Sequence, residues 1–321
     1  MMRLRSTSTA ASVLLLVPLV AGCFEGAAEA TSLQRGDRAF AAGAMQEALA
    51  EYRLAVRQSD DDPEALMRVG HAYVALGRVD EAAAHFRQAV ERRPTLRQQA
   101  VSDLMHLARA AEAEGEDFQM ASAVEAALSL EPAIGLDDMA LPLARHYFGN
   151  GEYGRALPLY QRALRGGSDS LPPVIFEIGQ AFEGIGDCQN GLIFFEQFRS
   201  VARRSERGEV DWFIGNCSFQ RARELRGKDV ADEQDLEEAL RLVDRVIDVG
   251  EPRSILGEAW FERGEILAAL GQCDAAAESF HQVRVMEGSA GGALVERAQL
   301  RRDQIIFGRP MGEVSPDRPC G

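Results

Sequence analysis

Apolar and small residues recur at helical spacing in pairs of short segments, and a glycine separates the two segments of each pair. The clearest copy runs from Pro63 to Arg93 and is followed by Pro94. Its segments are marked by Leu66, Val69, Gly70 and Tyr73 before Gly77, and by Ala82, Phe86 and Ala89 after it. Because this spacing puts apolar side chains on one face of each helix, it predicts a helix–turn–helix unit. Pro94 ends the second helix, since proline has no amide hydrogen to donate.

The same pattern recurs with a period near 34 residues, which is typical of a repeat protein. The predicted units lie near 29–62, 63–96, 101–134, 137–170, 172–206, 208–252 and 257–290, and a capping helix covers 293–306. The sixth unit carries an insertion of about 12 residues, around Arg226 to Gln234, before its second helix resumes. Pro142 and Pro158 fall inside the helices of the fourth unit and are predicted to bend them.

These units resemble the tetratricopeptide repeat (TPR). The close glycine and alanine positions, such as Gly70 and Ala82, let two helices approach each other, while Tyr73 and Phe86 fill the space beside them. The resemblance implies an all-α fold: a right-handed α-solenoid of about seven TPR helix–turn–helix units with a C-terminal capping helix. Arrays of this kind bind partners along a concave groove that the first helices line.

The resemblance also assigns residues to the predicted groove. One end is basic and includes Arg68, His71, His106, Arg109 and Arg145. The other end is aromatic and acidic and includes Phe176, Glu177, Glu183, Trp212, Phe213, Phe219, Phe261, Glu262 and Glu265. The arginines are candidates to clamp a carboxylate or phosphate, and the aromatic side chains to anchor apolar groups. In the alternative interpretation, the aromatic side chains pack against neighbouring helices and the arginines are merely solvated.

The N-terminus has the layout of a secretory signal peptide over residues 1–22, with Arg3 and Arg5 before an apolar run from Ala11 to Val20. That run is too short to cross a bilayer, which needs about 20 apolar residues. The end of the segment resembles a bacterial lipobox, which implies that Cys23 becomes the acylated N-terminus and that residues 23–28 form a short spacer. Phe24 replaces the aspartate that retains such lipoproteins at the inner membrane, which favours the outer membrane of a Gram-negative cell. An ordinary cleaved signal with an unrelated cysteine is the alternative.

The net charge argues against nucleic acid as a partner, and the cysteine content favours disulfides. The net charge of −15 becomes −17 when Arg3 and Arg5 leave with the signal, so nucleic acid is not expected to bind. Four cysteines remain after Cys23, and an even number in an exported protein favours disulfides. The repeat register implied by the resemblance pairs Cys188 with Cys217 and Cys273 with Cys320, which would tie down the tail at 307–321. Four free thiols are the alternative.

No catalytic motif, cofactor site or metal-binding histidine pair is evident in the sequence, so catalysis is not expected. We interpret the chain as a non-catalytic scaffold for protein–protein interaction. It would be lipid-anchored at the periplasmic face of the outer membrane and would recruit envelope or assembly proteins or peptides through the groove. A glycan-binding component of polysaccharide export or cell-wall processing is the second hypothesis, and an enzyme is the third.

Overall fold

A computed structural model describes residues 30–136, 138–165, 172–228, 231–288, 292–308 and 320 of the 321-residue chain. The predicted signal segment and Cys23 lie outside these residues. Within them the fold is all-α, with fifteen α-helices, two short 3₁₀ helices and no strand. No helix in this part of the chain is long and apolar enough to cross a membrane.

Fourteen helices form seven hairpins, and a fifteenth follows them. In order the pairs are α1 Ser32–Ala41 and α2 Met45–Gln58; α3 Pro63–Ala75 and α4 Val79–Arg92; α5 Arg97–Glu114 and α6 Asp117–Leu130; α7 Ala140–Gly149 and α8 Tyr153–Ala163. They continue with α9 Pro172–Gly184 and α10 Cys188–Val201; α11 Arg204–Arg226 and α12 Glu233–Val249; α13 Leu256–Ala269 and α14 Cys273–Glu287; and the last helix α15 Ala293–Phe307. Each hairpin overlaps one predicted unit, although α5, α11 and α13 begin before the predicted starts at 101, 208 and 257. The hairpins stack into an α-solenoid.

Local sequence explains the hairpin. Gly77 has a φ of +68°, a left-handed conformation that costs glycine little, and it turns the chain between α3 and α4. The helices then cross at Gly70, where a Cβ atom would collide with the ring of Phe86. Gly36 and Tyr52, Gly179 and Phe195, and Gly264 and Phe280 repeat this glycine-against-ring contact. The recurring glycine therefore sets the close packing of each hairpin.

The core runs along the stack because equivalent positions of successive second helices are buried. Six large side chains at these positions are exposed by 2% or less: Tyr52, Phe86, Met120, Tyr160, Phe195 and Phe280. A single apolar cluster joins the first four hairpins to α9, and three further clusters continue it toward α15. Each hairpin thus buries its apolar face against its neighbours, as a repeat array requires.

The predicted insertion in unit six, around Arg226 to Gln234, begins where the 23-residue α11 ends at Arg226, and α12 begins at Glu233. The expectation that Pro142 bends its helix is wrong. Pro142 is the third residue of α7, where the amide has no intrahelical partner to lose, so it does not interrupt that helix. Pro158 does lie inside α8, which continues past it to Ala163.

Candidate partner-binding groove

The first helices of the hairpins lie side by side and form one surface, which we call the first-helix face (α1, α3, α5, α7, α9, α11, α13 and α15). At six of its seven steps, a charged or imidazole side chain of one unit pairs with a carboxylate of a neighbouring unit. The pairs are Arg68 with Asp37 (3.2 Å), His71 with Asp103 (2.5 Å), Arg109 with Asp138 (2.5 Å), Arg145 with Glu177 (3.1 Å), Arg226 with Glu262 (2.6 Å) and Arg301 with Glu265 (2.7 Å). At these six steps the arginine or histidine side chain therefore already has an intramolecular partner.

A buried tyrosine reinforces two of these pairs. Tyr52 donates its hydroxyl to Asp37 at 2.9 Å, and Tyr160 donates to Glu177 at 3.0 Å. Burial, followed by the neighbouring carboxylate, raises the pKa of both tyrosines well above the ordinary value, so both hydroxyls remain donors. Glu177 also accepts both hydrogen bonds of a two-pronged contact from Arg145, each 3.1 Å long. These carboxylates are held by donors from two elements.

The expectation of a free arginine clamp is wrong, because Arg68, Arg109 and Arg145 already have intramolecular partners. The hydrogen bond from Arg109 holds the pKa of Asp138 below its ordinary value, so the acid stays ionised near neutral pH. A ligand carboxylate would have to displace a carboxylate that is already in place. Among the predicted basic residues, His71 is also paired, and His106 is exposed.

The step between α9 and α11 differs from the other six. Among the described residues no ion pair links these two helices, and a groove of about 680 Å³ lies there. It is lined by Glu183 from α9 and by Trp212, Asn216, Phe219, Gln220, Arg223 and Glu224 from α11. Trp212 is 44% exposed, and neither Glu183 nor Arg223 has an ion-pair partner in the described part of the chain. We call this site the Trp212 groove.

The lining residues of α11 form a single stripe. Trp212, Asn216, Phe219, Gln220 and Arg223 follow the spacing that puts side chains on one face of a helix. The Arg223 guanidinium lies over the Phe219 ring, 5.8 Å from its centroid, while Phe219 itself is buried. The groove thus offers an exposed aromatic surface at one end, amide side chains in the middle and a cation at the other end.

Most of the predicted groove aromatics are packing residues. Phe219 and Phe261 are only 8% and 7% exposed, so the expectation that they face a ligand is wrong. Phe176 and Phe213 are half-buried, since Phe176 stacks on Phe198 and Phe213 stacks on Phe195 with ring centroids 4.8 and 5.0 Å apart. Trp212 is the one predicted groove aromatic that the structure leaves largely exposed.

A second cleft lies at the other side of α11. It measures about 770 Å³ and is lined by α11, α12, α13, α15 and Cys320. The predicted groove residues Glu262 and Glu265 lie in it, paired with Arg226 and Arg301. Both carboxylates are therefore ion-paired and are not free acceptors. Phe261 lies beneath the Arg297 guanidinium, 4.6 Å from ring centroid to Cζ.

Two disulfides flank the grooves. Cys188, the first residue of α10, is bonded to Cys217 of α11 with the Cα atoms 4.9 Å apart. Cys273, the first residue of α14, is bonded to Cys320 with the Cα atoms 5.4 Å apart. Both pairings are those that the repeat register implies. Gln220 Oε1 lies 3.7 Å from Cys188 Sγ, so the first bridge lies directly beside the Trp212 groove.

Sequence reasoning missed Arg223 because it lies beyond the last groove position of a standard unit. The available signal was its distance of eleven residues from Trp212, which returns a helix to the same face after three turns. As for chemistry, no group of three His, Cys, Asp or Glu side chains could hold a metal ion within the described residues.

Comparison with known proteins identifies the repeat. Two models, both described as tetratricopeptide repeat, match residues 39–105 and 225–284. A search of curated proteins found no match. Among solved structures, the C-terminal part of a TPR repeat-containing protein from Cytophaga hutchinsonii is 15% identical, with 82% of this chain and 97% of that chain covered and a TM-score of 0.33.

Two further structures are similar at the same level. A tetratricopeptide repeat protein from Parabacteroides merdae is 14% identical, with 84% of this chain and 97% of that chain covered and a TM-score of 0.31. YrrB, titled a TPR protein with an unusual peptide-binding site, is 17% identical, with 68% and 99% covered and a TM-score of 0.34. The two family-model matches fall toward opposite ends of one continuous stack of helical hairpins. Residues 39–105 and 225–284 of this chain are tetratricopeptide repeats.

Proposed function

We propose that this protein is a non-catalytic scaffold that recruits a partner protein through the Trp212 groove. TPR arrays are typical of protein-interaction scaffolds, because stacked repeats present one extended surface. The observation that carries the proposal is the interruption of the ion-pair series between α9 and α11. At that step alone on the described first-helix face, an exposed tryptophan and two unpaired charges are available to a ligand.

The energetics favour this step over the others. A partner that approaches the paired steps must desolvate charges that are already satisfied, or displace them, and it gains little in return. At the Trp212 groove, the aromatic surface is free to be covered, and tryptophan and arginine are the residues that most often dominate binding energy. We therefore assign the binding energy to Trp212 and Arg223, with Asn216 and Gln220 supplying hydrogen bonds between them.

We further propose that the scaffold is attached to the periplasmic face of the outer membrane through an acylated Cys23. The support is the sequence of the N-terminus: a short apolar segment, small residues and then a cysteine. The segment from Phe24 to Ala30 spans at most about 25 Å when fully extended, so the repeats would stay close to the membrane surface. Partners recruited by the Trp212 groove would then be envelope or assembly proteins.

Site-specific crosslinking in cells tests this function. A photoreactive benzoylphenylalanine is placed at Gln220 in the groove and, as the matched control, at Gln88, an exposed glutamine on the second helix α4. We expect a discrete protein adduct from position 220 and none from position 88, and we expect Trp212→Ala to remove the adduct. Equal adducts from both positions, or an adduct that survives Trp212→Ala, would show that recruitment uses another surface.

A further inference from the structure

The length of α11 gives the Trp212 groove two chemically different ends, Trp212 at one and Arg223 at the other. Trp212 and Arg223 are eleven residues apart on one face of a continuous helix, which separates them by about 16 Å at 1.5 Å per residue. The other first helices have between 10 and 18 residues, against 23 in α11. The Arg223 end therefore lies on the extension that sets α11 apart from the other first helices.

Arg223 is the uncompensated cation of that extension. Its neighbours are all paired: Arg221 with Glu224 at 3.3 Å, Arg226 with Glu262 at 2.6 Å and Lys228 with Asp235 at 2.6 Å. Arg223 instead projects over the ring of Phe219 and is exposed. A guanidinium supported on an aromatic face keeps all its donors available, and a carboxylate is the acceptor that matches its planar fork.

The opposite wall carries the opposite charge. Glu183, near the end of α9, lines the groove without an ion-pair partner among the described residues. A carboxylate of the partner placed beside Glu183 would be repelled, whereas a backbone amide or a basic side chain would be attracted. Glu183 therefore disfavours an acid against the α9 wall. The other lining carboxylate, Glu224, is already engaged by Arg221 and Gln220, so Arg223 is the position for an acid.

From these observations we infer that the Trp212 groove binds an extended segment of a partner protein that carries an apolar side chain for Trp212 and an acidic side chain for Arg223. An extended chain advances about 3.3 Å per residue, so the two side chains lie about five residues apart. Asn216 and Gln220 lie between them. Gln220 donates one amide N–H to Glu224 at 3.0 Å, and its second N–H and its oxygen, together with the Asn216 amide, provide donors and acceptors for the segment's backbone. This inference rests on the proposed function and adds the chemistry of the partner.

Selection from a displayed library of random dodecapeptides tests the inference. It is performed on the full mature chain, on Trp212→Ala and on Arg223→Gln, with Arg68→Gln as the matched control for loss of an exposed arginine elsewhere on the face. Circular dichroism first establishes that each variant is folded. We expect peptides selected by the wild-type and Arg68→Gln proteins to carry Asp or Glu four to six residues from an aromatic or aliphatic residue. Arg223→Gln should lose the acid preference and keep the apolar one.

A double-mutant cycle then tests the contact itself. The best selected peptide and its Asp→Asn (or Glu→Gln) form are titrated against wild-type and Arg223→Gln proteins by fluorescence anisotropy. Each single change should weaken binding about tenfold, and the two together should weaken it little further, because both remove one charged hydrogen bond. Wild-type binding should also weaken as salt rises.

The outcomes separate the two proposals. Peptides that depend on Trp212 but show no acid preference, or additive effects in the cycle, would overturn the inference and leave the scaffold function intact. A selection that returns no Trp212-dependent peptide would contradict both proposals.

Discussion

Removal of the Cys188–Cys217 bridge should destabilise the repeats that form the Trp212 groove. The bridge joins α10 to α11 across 29 residues, and both cysteines are buried at 4% and 0% exposure. In the chain-entropy treatment, closing a loop of that length lowers the entropy of the unfolded chain enough to stabilise the fold by about 3.6 kcal/mol at 25 °C. Measured values are often smaller, so we expect the double variant Cys188→Ala/Cys217→Ala to lose about 2 to 4 kcal/mol.

Urea unfolding without reductant is the assay, followed by circular dichroism. The matched control is Cys273→Ala/Cys320→Ala, which removes the other bridge, spanning 47 residues, and leaves α10 and α11 joined. Amide hydrogen exchange of α10 and α11 should increase in the first variant and remain near the wild-type rate in the control. Reductant should lower the stability of the wild-type protein and have a smaller effect on either variant, because each variant retains only one bridge.

Equal unfolding midpoints for the wild-type protein and the Cys188→Ala/Cys217→Ala variant would refute this reasoning. Non-reducing peptide mapping gives an independent answer. A Cys188–Cys273 or Cys217–Cys320 linkage would show that the repeat register is wrong, and with it the assignment of groove residues in the last three repeats.

Three further predictions follow from the packing, the N-terminus and the ion pairs. Phe86→Ala should cost about 3 to 5 kcal/mol of unfolding free energy because Phe86 is fully buried, whereas Phe118→Ala, at a side chain 79% exposed, should change it by less than about 0.5 kcal/mol; chemical denaturation measures both. Cys23→Ser should leave the protein uncleaved or soluble, and continued fractionation with the outer membrane would show that a lipid on Cys23 does not anchor it. NMR titration should give Asp138 a pKa below its ordinary value, and this pKa should rise toward the ordinary value in Arg109→Gln. Because the pKa of Asp138 is lower in the folded state, its ion pair stabilises the fold at neutral pH, and this stabilisation is lost as the pH falls through the folded-state pKa.

The repeat architecture was accessible from sequence because its determinants are local. The Gly70 and Phe86 contact lies within one hairpin, and the turn at Gly77 requires a backbone conformation that glycine adopts readily. Apolar residues at helical spacing then specify which face of each helix is buried. Contacts between residues at most 16 positions apart therefore determine each hairpin, and the same contacts recur in successive repeats.

The length of α11 was not predicted, because the sequence at the end of this helix is mainly polar. Between Arg221 and Lys228 the apolar residues are Ala222 and Leu225, which continue the spacing of Phe219 and are both 1% exposed. The charged residues around them make the apolar spacing hard to recognise. A helical interpretation would have placed Arg223 on the stripe of Trp212.

Whether a charged groove residue is ion-paired depends on contacts between repeats. Arg145 pairs with Glu177, 32 residues further along the chain, and the contact exists only because two first helices lie at one rotation relative to each other. Sequence indicated that both side chains face the groove but not that they neutralise each other. Packing also accounts for two aromatic residues assigned to the groove. Phe176 stacks on Phe198 of its own hairpin and Phe213 stacks on Phe195 of the preceding hairpin, so both are partly buried.

Affinity of the partner crosslinked at position 220, measured by isothermal titration with the purified proteins, tests the central claim most directly. The account predicts that Trp212→Ala weakens binding by at least about tenfold, as for a residue that dominates an interface. Arg145→Gln, at a step whose charges are already paired, should bind within about twofold of the wild-type protein. The reverse pattern, with full affinity in Trp212→Ala and a large loss in Arg145→Gln, would contradict the claim that the partner binds where the ion-pair series is interrupted.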